Sequence, residues 1–580
     1  MTPPMGTPAD VLRFGPFRLD PAKRVLWRGD EVVPLAPRAL DLLVALAEQQ
    51  GDVVPKQTLM DRVWPGTFVE EANLSVNVSA LRKALGTQAD GRPFIETLAR
   101  RGYRLAAPVR AATAARPPSI AVLPFKRLSS VAEDEYLAVG LADALIARLS
   151  RLGRLAVRPT SAVLKYGTPG MDPQEAGRAL QVDAVVDGTL QREGTRLRIG
   201  VQLVPVRGDG PTWSQTFEEE MTGLFAVQDA MAEQVARALA LELREPERRL
   251  LAHRHTQDLE AQEAYLKGRY FWSRFTGPWL EKAFASFQEA AERDPAYALP
   301  HAGLADACLI LGFTGMLPPS AAWERADTEV RQALERDEGL AEAHVSRAYV
   351  SLFQDWDWAT ARRELDRAAE LGPHTSAVRQ WRGVYLAMLG RFDEAGREIA
   401  HARQLDPLSV VASTIAGLQA YLSGDREAEM NHHRASVDLD PHHFLGHWGL
   451  GLALQSQGRP KDALAEHREA VRLAPDATLL QPVVARSLAL AGHKAEARQV
   501  LDEATKAAPH LSAYQQATVH VALGRSARAL DLLERAGEER DPWLVWLKVD
   551  PMLEPLRAHP RMRRLLARVF RRAGDAARRG

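Results

Sequence analysis

The sequence predicts a multidomain, mainly α chain. A mixed α+β unit comes first, a small α/β domain second, and an α-solenoid fills the second half. Three observations predict this order. Short strand-like runs, three helical stretches and a hairpin pattern open the chain; apolar strands then alternate with amphipathic helices from residue 119 to about 243; and Pro373, Pro407, Pro441, Pro475 and Pro509 recur at a spacing of 34. A chain of 580 residues has room for about four domains.

Composition narrows the function. Hydrophobic residues at 46% and charged residues at 26% are those of an ordinary globular protein. The single cysteine, Cys308, excludes an internal disulfide framework and a cysteine-cluster zinc site, and its apolar surroundings place it in a core. No stretch approaches the roughly 18 apolar residues of a membrane span, and MTPPMGTPAD has neither the basic start nor the apolar core of a secretory signal. The expectation is a cytoplasmic protein. Net charge is zero but unevenly spread: residues 72–110 hold seven basic against two acidic side chains, residues 557–580 hold nine Arg against one Asp, and 111–556 carry about −11. A basic patch near one end suggests contact with a polyanion.

The first unit spans 11–107, after a disordered stretch expected at 1–10. FGPFRLD, RVLWRGD and EVVPLAP read as short strands between Asp, Gly and Pro breakers. A helix from Arg38 puts Leu42, Leu43 and Leu46 on one face and ends at Gly51. A second runs Lys56–Val63 and stops at Trp64-Pro65-Gly66, and a third runs from near Val69 to Leu85. FIETLARRGYRLAA closes the unit as two strands around a basic turn. In the third helix Leu74, Val78, Leu81 and Leu85 fall within roughly 60° of one another and must pack inward. The opposite face holds Asn73, Val76, Ser79, Ala80 and Lys83, flanked by Asn77 and Arg82. Asn and Ser read donor and acceptor patterns on base edges, and a Val methyl can touch thymine.

The segments LAPRALDLLVALAEQQGDVVPKQTLMDRVWPG, VEEANLSVNVSALRKALG and FIETLARRGYRL resemble the OmpR/PhoB-type winged-helix DNA-binding domain. The resemblance implies a third helix in the major groove, with Asn73, Val76, Asn77, Ser79 and Ala80 facing bases. It also implies Arg82, Lys83, Thr97, Arg100 and Arg101 on phosphates and at the wing. Many family members carry arginine at the positions of Ser79 and Ala80, and the usual wing arginine position is Ala99 here. With the winged helix first in the sequence, no phosphoacceptor receiver domain is expected.

Residues 108–118 lie in an Ala/Pro-rich run without apolar periodicity and are expected to be a linker. Residues 119–245 follow as strand IAVLPF, helix Tyr136–Leu152, strand LAVRPTS, helix Pro173–Leu180, two strands in DAVVDGTLQREGTRLRIGVQLV, and helix Leu224–Leu243. IAVLPF and DAVVDGTLQREG resemble a TolB N-terminal-like or FlgO-like domain. No phosphate-binding loop or GxGxxG fingerprint occurs in it, so a spacer or partner-binding role is expected.

Residues 246–541 repeat. Gly390, Gly424, Gly458 and Gly492 keep the 34-residue interval, as do Gly383, Gly417, Gly451 and Ala485, and Ala402, Ser436, Ala470 and Ala504. Small residues where helices cross, glycine in the turn and proline after the second helix resemble tetratricopeptide repeats. About eight units from 257 to 541 would stack into a superhelix with a concave groove. Residues 542–580 read as a helical cap and basic tail. His432, His433, His442, His443 and His447 cluster in sequence, and His443 and His447 share a metal-compatible spacing, but no third ligand completes a site on that helix. No metal or cofactor is expected, and the absence of a nucleophile elbow, kinase signature or HExxH argues against an enzyme.

These observations point to a transcriptional regulator that binds double-stranded DNA, at the nucleoid when bound, and takes an unknown protein or peptide in its repeat groove. RNA polymerase or another regulatory protein, and a second copy of the chain on DNA, are further expected partners; a membrane is not. The alternative is a repeat-based protein scaffold whose winged helix has little or no specific DNA binding.

Overall fold

The computed structural model describes residues 12–571, apart from 22–23, 29–30, 50, 65–68, 89–90, 99–100, 108–109, 112–117, 129–134, 153–154, 168–169, 208–209, 221–223, 240–246, 248–254 and 273–276. The expected N-terminal disordered stretch and the last nine residues of the basic tail lie outside the described residues. The chain divides into two units, 1–117 and 118–580.

In the first unit β1 (Leu12–Phe14), β2 (Phe17–Asp20), β3 (Val25–Arg28) and β4 (Glu31–Val32) pair antiparallel in sequence order. Helices α1 (Pro37–Ala47), α2 (Lys56–Val63) and α3 (Glu71–Leu85) follow. The hairpin of β5 (Ile95–Leu98) and β6 (Gly102–Leu105) comes next. Pro37 sits at the start of α1, where its missing N–H costs nothing. Leu74, Val78, Leu81 and Leu85 of α3 are all buried, as their spacing requires. Phe14, Phe17 and Phe94 close the core with ring centroids 5.3–6.0 Å apart.

One boundary needs correction. The linker expected at 108–118 contains β7 (Arg110–Ala111), which pairs with β1 and completes the sheet order β4-β3-β2-β1-β7. Edge pairing is made by main-chain hydrogen bonds, so it leaves no apolar period to read in the sequence.

The second unit opens with β8 (Ser119–Val122), β9 (Lys126–Arg127), α4 (Glu135–Ser150), β10 (Ala156–Val157), α5 (Thr160–Val163) and α6 (Pro173–Ala179). It continues with β11 (Ala184–Glu193), β12 (Arg196–Pro205), β13 (Trp213–Glu220) and α7 (Leu224–Ala238). The sheet order is β10-β8-β11-β12-β13, parallel on the β10 side and antiparallel from β11 onward. Strand β13 escapes the sequence reading because it is an exposed, charged edge strand with no apolar alternation.

Eight helix pairs follow among the described residues. They are α8 (Leu259–Trp272) with α9 (Gly277–Arg293), α10 (Ala298–Thr314) with α11 (Pro319–Arg336), and α12 (Ala341–Val350) with α13 (Trp358–Leu371). Then come α14 (Ser376–Met388) with α15 (Phe392–Leu405), and α16 (Val410–Ser423) with α17 (Arg426–Leu439). The last three are α18 (Phe444–Ser456) with α19 (Pro460–Leu473), α20 (Leu480–Leu490) with α21 (Lys494–Ala507), and α22 (Ala513–Ala522) with α23 (Ser526–Glu539). The small residues mark the crossings. A Cβ on Gly383 would stand 2.5 Å from Ile399, one on Gly417 2.5 Å from His433, and one on Gly451 2.3 Å from His467.

The coil closes on itself, which the periodicity does not announce. The turn after α10 meets segments five repeats later: Leu479 donates its amide to the Thr314 carbonyl at 3.3 Å, and the Gly315 carbonyl accepts from the Thr478 hydroxyl at 3.2 Å and lies 3.1 Å from His510 Nε2. The C-terminal segment covers the opening. Trp543 stacks on Phe313 at 4.4 Å, and α24 (Pro560–Val569) accepts the Trp358 indole N–H at 3.0 Å through its Val569 carbonyl.

The α/β domain is bolted to this coil by Arg158, which is 1% exposed. Its guanidinium donates to the Leu180 and Gln181 carbonyls after α6, at 2.8 and 2.9 Å, and to Gln404 and Leu405 at the end of α15, at 2.8 and 2.6 Å. Carbonyls at helix C-termini lack intrahelical partners, and a cation there meets the negative end of the helix dipole. Asp143 pairs with Arg269 of α8 at 3.0 Å, and the Tyr136 hydroxyl donates to Glu263 at 2.6 Å.

Two outcomes are expected. Gly451→Leu forces α18 away from α19 and should lower the thermal midpoint of the 118–580 unit, at a cost of at least about 1–3 kcal/mol, read by circular dichroism. His433 is fully buried with both ring nitrogens unpartnered, and burial pushes its pKa down to about 3. A folded-state pKa below the ordinary 6.5 means stability is intact above that pH and is lost as pH falls toward 3. His433→Leu places there the residue type that Leu501 supplies two repeats on. It should raise the thermal midpoint at pH 5 and flatten its pH dependence between 6.5 and 4; an unchanged slope would show that other groups set the acid response.

Candidate nucleic-acid interface

The inner stripe of α3 is fixed in the core, so its other face is turned outward. Val76 is 67% exposed, the most exposed large apolar side chain among the described residues. Asn73, Ser79, Ala80 and Lys83 are exposed beside it, and Asn77 is half-buried. The Asn77 amide donates to the Asn73 carbonyl at 2.8 Å, which directs its side-chain oxygen to act as the acceptor. An acceptor there suits the exocyclic amine of adenine or cytosine. The structure therefore brings all five expected base-facing residues onto one helix.

Both ends of that helix are held. Lys56 of α2 pairs with Glu71 in the first turn of α3. At the other end Arg28 of β3 donates to the Ala84 carbonyl at 2.9 Å while its guanidinium lies 4.8 Å over the Phe17 ring. Sequence reading missed Arg28, because nothing local marks a residue that caps a helix 56 positions away.

The wing candidates separate into two kinds. Arg82 donates to the Ile95 carbonyl at 2.9 Å and to the Thr97 hydroxyl at 2.7 Å, so Arg82 and Thr97 brace α3 against β5. Lys83 and Arg101 are exposed. Arg100 lies outside the described residues. Across the hairpin Arg104 pairs with Glu96 at 2.7 Å. Gly102 has φ +142°, and a Cβ on it would stand 1.9 Å from the Val54 carbonyl oxygen, so the wing packs against the start of α2 only with glycine there.

The histidine cluster does not converge. His447 bonds Glu466 at 2.7 Å and the Pro441 carbonyl at 2.9 Å, His443 caps α18 through the Leu445 amide, and His433 sits under Gly417. No group of three metal-ligating side chains is found among the described residues. Cys308 is buried, and burial pushes its thiol up to about 12.

Residues 29–105 match the family model described as "Transcriptional regulatory protein, C terminal". This segment is a winged-helix domain of the OmpR/PhoB type. Residues 115–234, the unit resembling TolB or FlgO domains in sequence, match "HilA/YgeH-like transcriptional regulator, second domain". The transcriptional regulator HilA of Salmonella typhimurium is 24% identical over 396 residues, 67% of this chain and 69% of its own length. The transcriptional activator CadC of Escherichia coli is 34% identical over 100 residues, 17% of this chain and 20% of that protein. The solved DNA-binding domain of CadC is 33% identical and covers 18% of this chain and 96% of its own, with a TM-score of 0.17. No helix among the described residues is long and apolar enough to cross a membrane.

The brace and the free charges of the winged-helix domain should respond differently to mutation. Lys83→Ala and Arg101→Ala should weaken binding to all DNA sequences, each lowering the log–log salt slope by about 0.9, the share of one neutralised phosphate. Asn77→Ala should change which sequences bind and leave the salt slope unaltered. Fluorescence anisotropy on operator and scrambled duplexes at several salt concentrations separates these effects.

Proposed function

We propose that this protein is a DNA-binding transcriptional regulator that reads an operator through α3 and grips the backbone through its wing. The observation that supports this reading is an exposed, uncharged hydrogen-bonding face on α3 around Val76 and Asn77, with Lys83 exposed on the same helix and Arg101 exposed in the wing turn. In this reading Asn73, Val76, Asn77, Ser79 and Ala80 meet base edges. Lys83, Arg100 and Arg101 meet phosphates, and Arg82 and Thr97 set the angle between helix and wing. The chain works at the nucleoid, without catalysis, as a dimer on paired half-sites. Residues 111–556, at about −11, are repelled by DNA, so this part takes the regulatory input: a protein or peptide partner on the repeats, with RNA polymerase or another regulator at the promoter.

A second reading is a protein scaffold with a vestigial winged helix. Ser79 and Ala80 favour it, since short side chains make few base contacts. Sequencing genomic fragments that bind the purified full chain decides between them. Enrichment of one motif, lost in Asn77→Ala, is the expected result. Fragments recovered without sequence preference would leave only the scaffold reading.

A further inference from the structure

The closed coil holds a partly open cavity of about 360 Å3, within the size range of small-molecule sites. Its wall is aromatic and aliphatic, with Phe313, Tyr349, Trp381, Trp448 and Trp543 prominent. Among the described lining residues the one cation is Arg486 of α20, itself only 5% exposed.

Arg486 is poorly compensated. One terminal nitrogen donates to the Gln455 side-chain oxygen, the other meets the Met552 sulfur, and its Nε has no partner. Neither neighbour is charged, and a thioether is a weak acceptor. Asp550, also on the wall, accepts from the Tyr514 hydroxyl at 2.6 Å, the Tyr421 hydroxyl at 3.2 Å and the Met552 amide at 2.9 Å, and forms no ion pair with Arg486 among the described residues. The Asp550 charge acts on Arg486 only through space, with no ion pair between them among the described residues, so the fold holds a desolvated guanidinium without a hydrogen-bonded carboxylate at the edge of an apolar cavity. A planar carboxylate is the group that a guanidinium fork fits best. The wall contributed by α10 and α12 carries Asp306 and Glu342 instead, and burial pushes Asp306 up to about 6 while it accepts from the Ser346 hydroxyl. That end repels an anionic head, and Arg486 is the cation that attracts one, because the Asp550 carboxylate in its cluster is already engaged by the Tyr514 and Tyr421 hydroxyls.

We propose that this cavity binds a small amphipathic carboxylate, an apolar organic acid whose head pairs with Arg486 and whose tail lies among the aromatic rings. The assignment goes beyond the DNA-binding reading and does not rest on it. Its test therefore contains no DNA.

The full chain is titrated with decanoate and with 1-decanol, which has the same tail and no charge, by calorimetry and by the fluorescence of the cavity tryptophans. Decanoate should bind once per chain and at least tenfold more tightly than decanol. Arg486→Gln should abolish that preference and leave decanol binding unchanged. Gln455→Glu, nearly the same shape, supplies Arg486 with a carboxylate in place and should abolish the preference as well; circular dichroism checks that both variants keep their helices. The proposal is overturned if decanoate shows no saturable binding, if decanol binds equally well, or if either folded variant keeps the preference. It is also overturned if a peptide with an apolar C-terminal residue binds at the cavity and decanoate does not.

Discussion

Arg158 determines how the second unit holds together. Its guanidinium satisfies carbonyls at the end of α6 in the α/β domain and at the end of α15 in the repeats. A buried cation is tolerable only with its donors engaged, and helix C-termini offer the acceptors and the field it needs. The consequence is mechanical. An α/β domain that looks in sequence like a separate spacer is fixed to the solenoid at its first and fourth helix pairs. Ser161 donating to Asp406 at 3.1 Å, and Asp143 pairing with Arg269, extend the same seam.

The solenoid follows a related economy. Three successive crossings pair a residue without a side chain against a bulky partner one helix on: Gly383 with Ile399, Gly417 with His433, Gly451 with His467. His467 bonds the Ser487 hydroxyl at 2.7 Å, whereas His433 has no partner for either nitrogen. Both are held neutral by burial, with pKa values pushed down to about 3. The repeats therefore carry near-equivalent buried histidines whose hydrogen bonding differs while their acid response is alike. The coil is also more closed than a generic stack of helix pairs, because Gly315 and Trp543 bring early and late repeats into contact.

In the winged-helix domain, the same logic of held ends governs the reading helix. Arg28 and Lys56 fix its two termini from outside, and Arg82 ties its last turn to the wing. An arginine that in sequence looks like a phosphate contact is thus partly consumed in setting the geometry of its neighbours. Of the expected phosphate contacts among the described residues, Lys83 and Arg101 stay exposed while Arg82 and Thr97 bond each other.

By itself the sequence determined the three-part architecture, the buried stripe Leu74, Val78, Leu81 and Leu85, the outward face opposite it, and the helix pairs with crossings at Gly383, Gly417 and Gly451. These are encoded locally, in the 3.6-residue period, the 34-residue interval and the breakers between them. Only the tertiary structure decided what depends on residues far apart in the chain. Strand β7 returning to β1, edge strand β13, the Arg28 cap and the Arg158 seam all join segments with no shared period, through main-chain groups that any residue carries. The fate of Arg82 and the cavity around Arg486 belong to the same class: a side chain's type was legible, but its partner was not, because a partner is a property of the packed chain and not of the sequence around it.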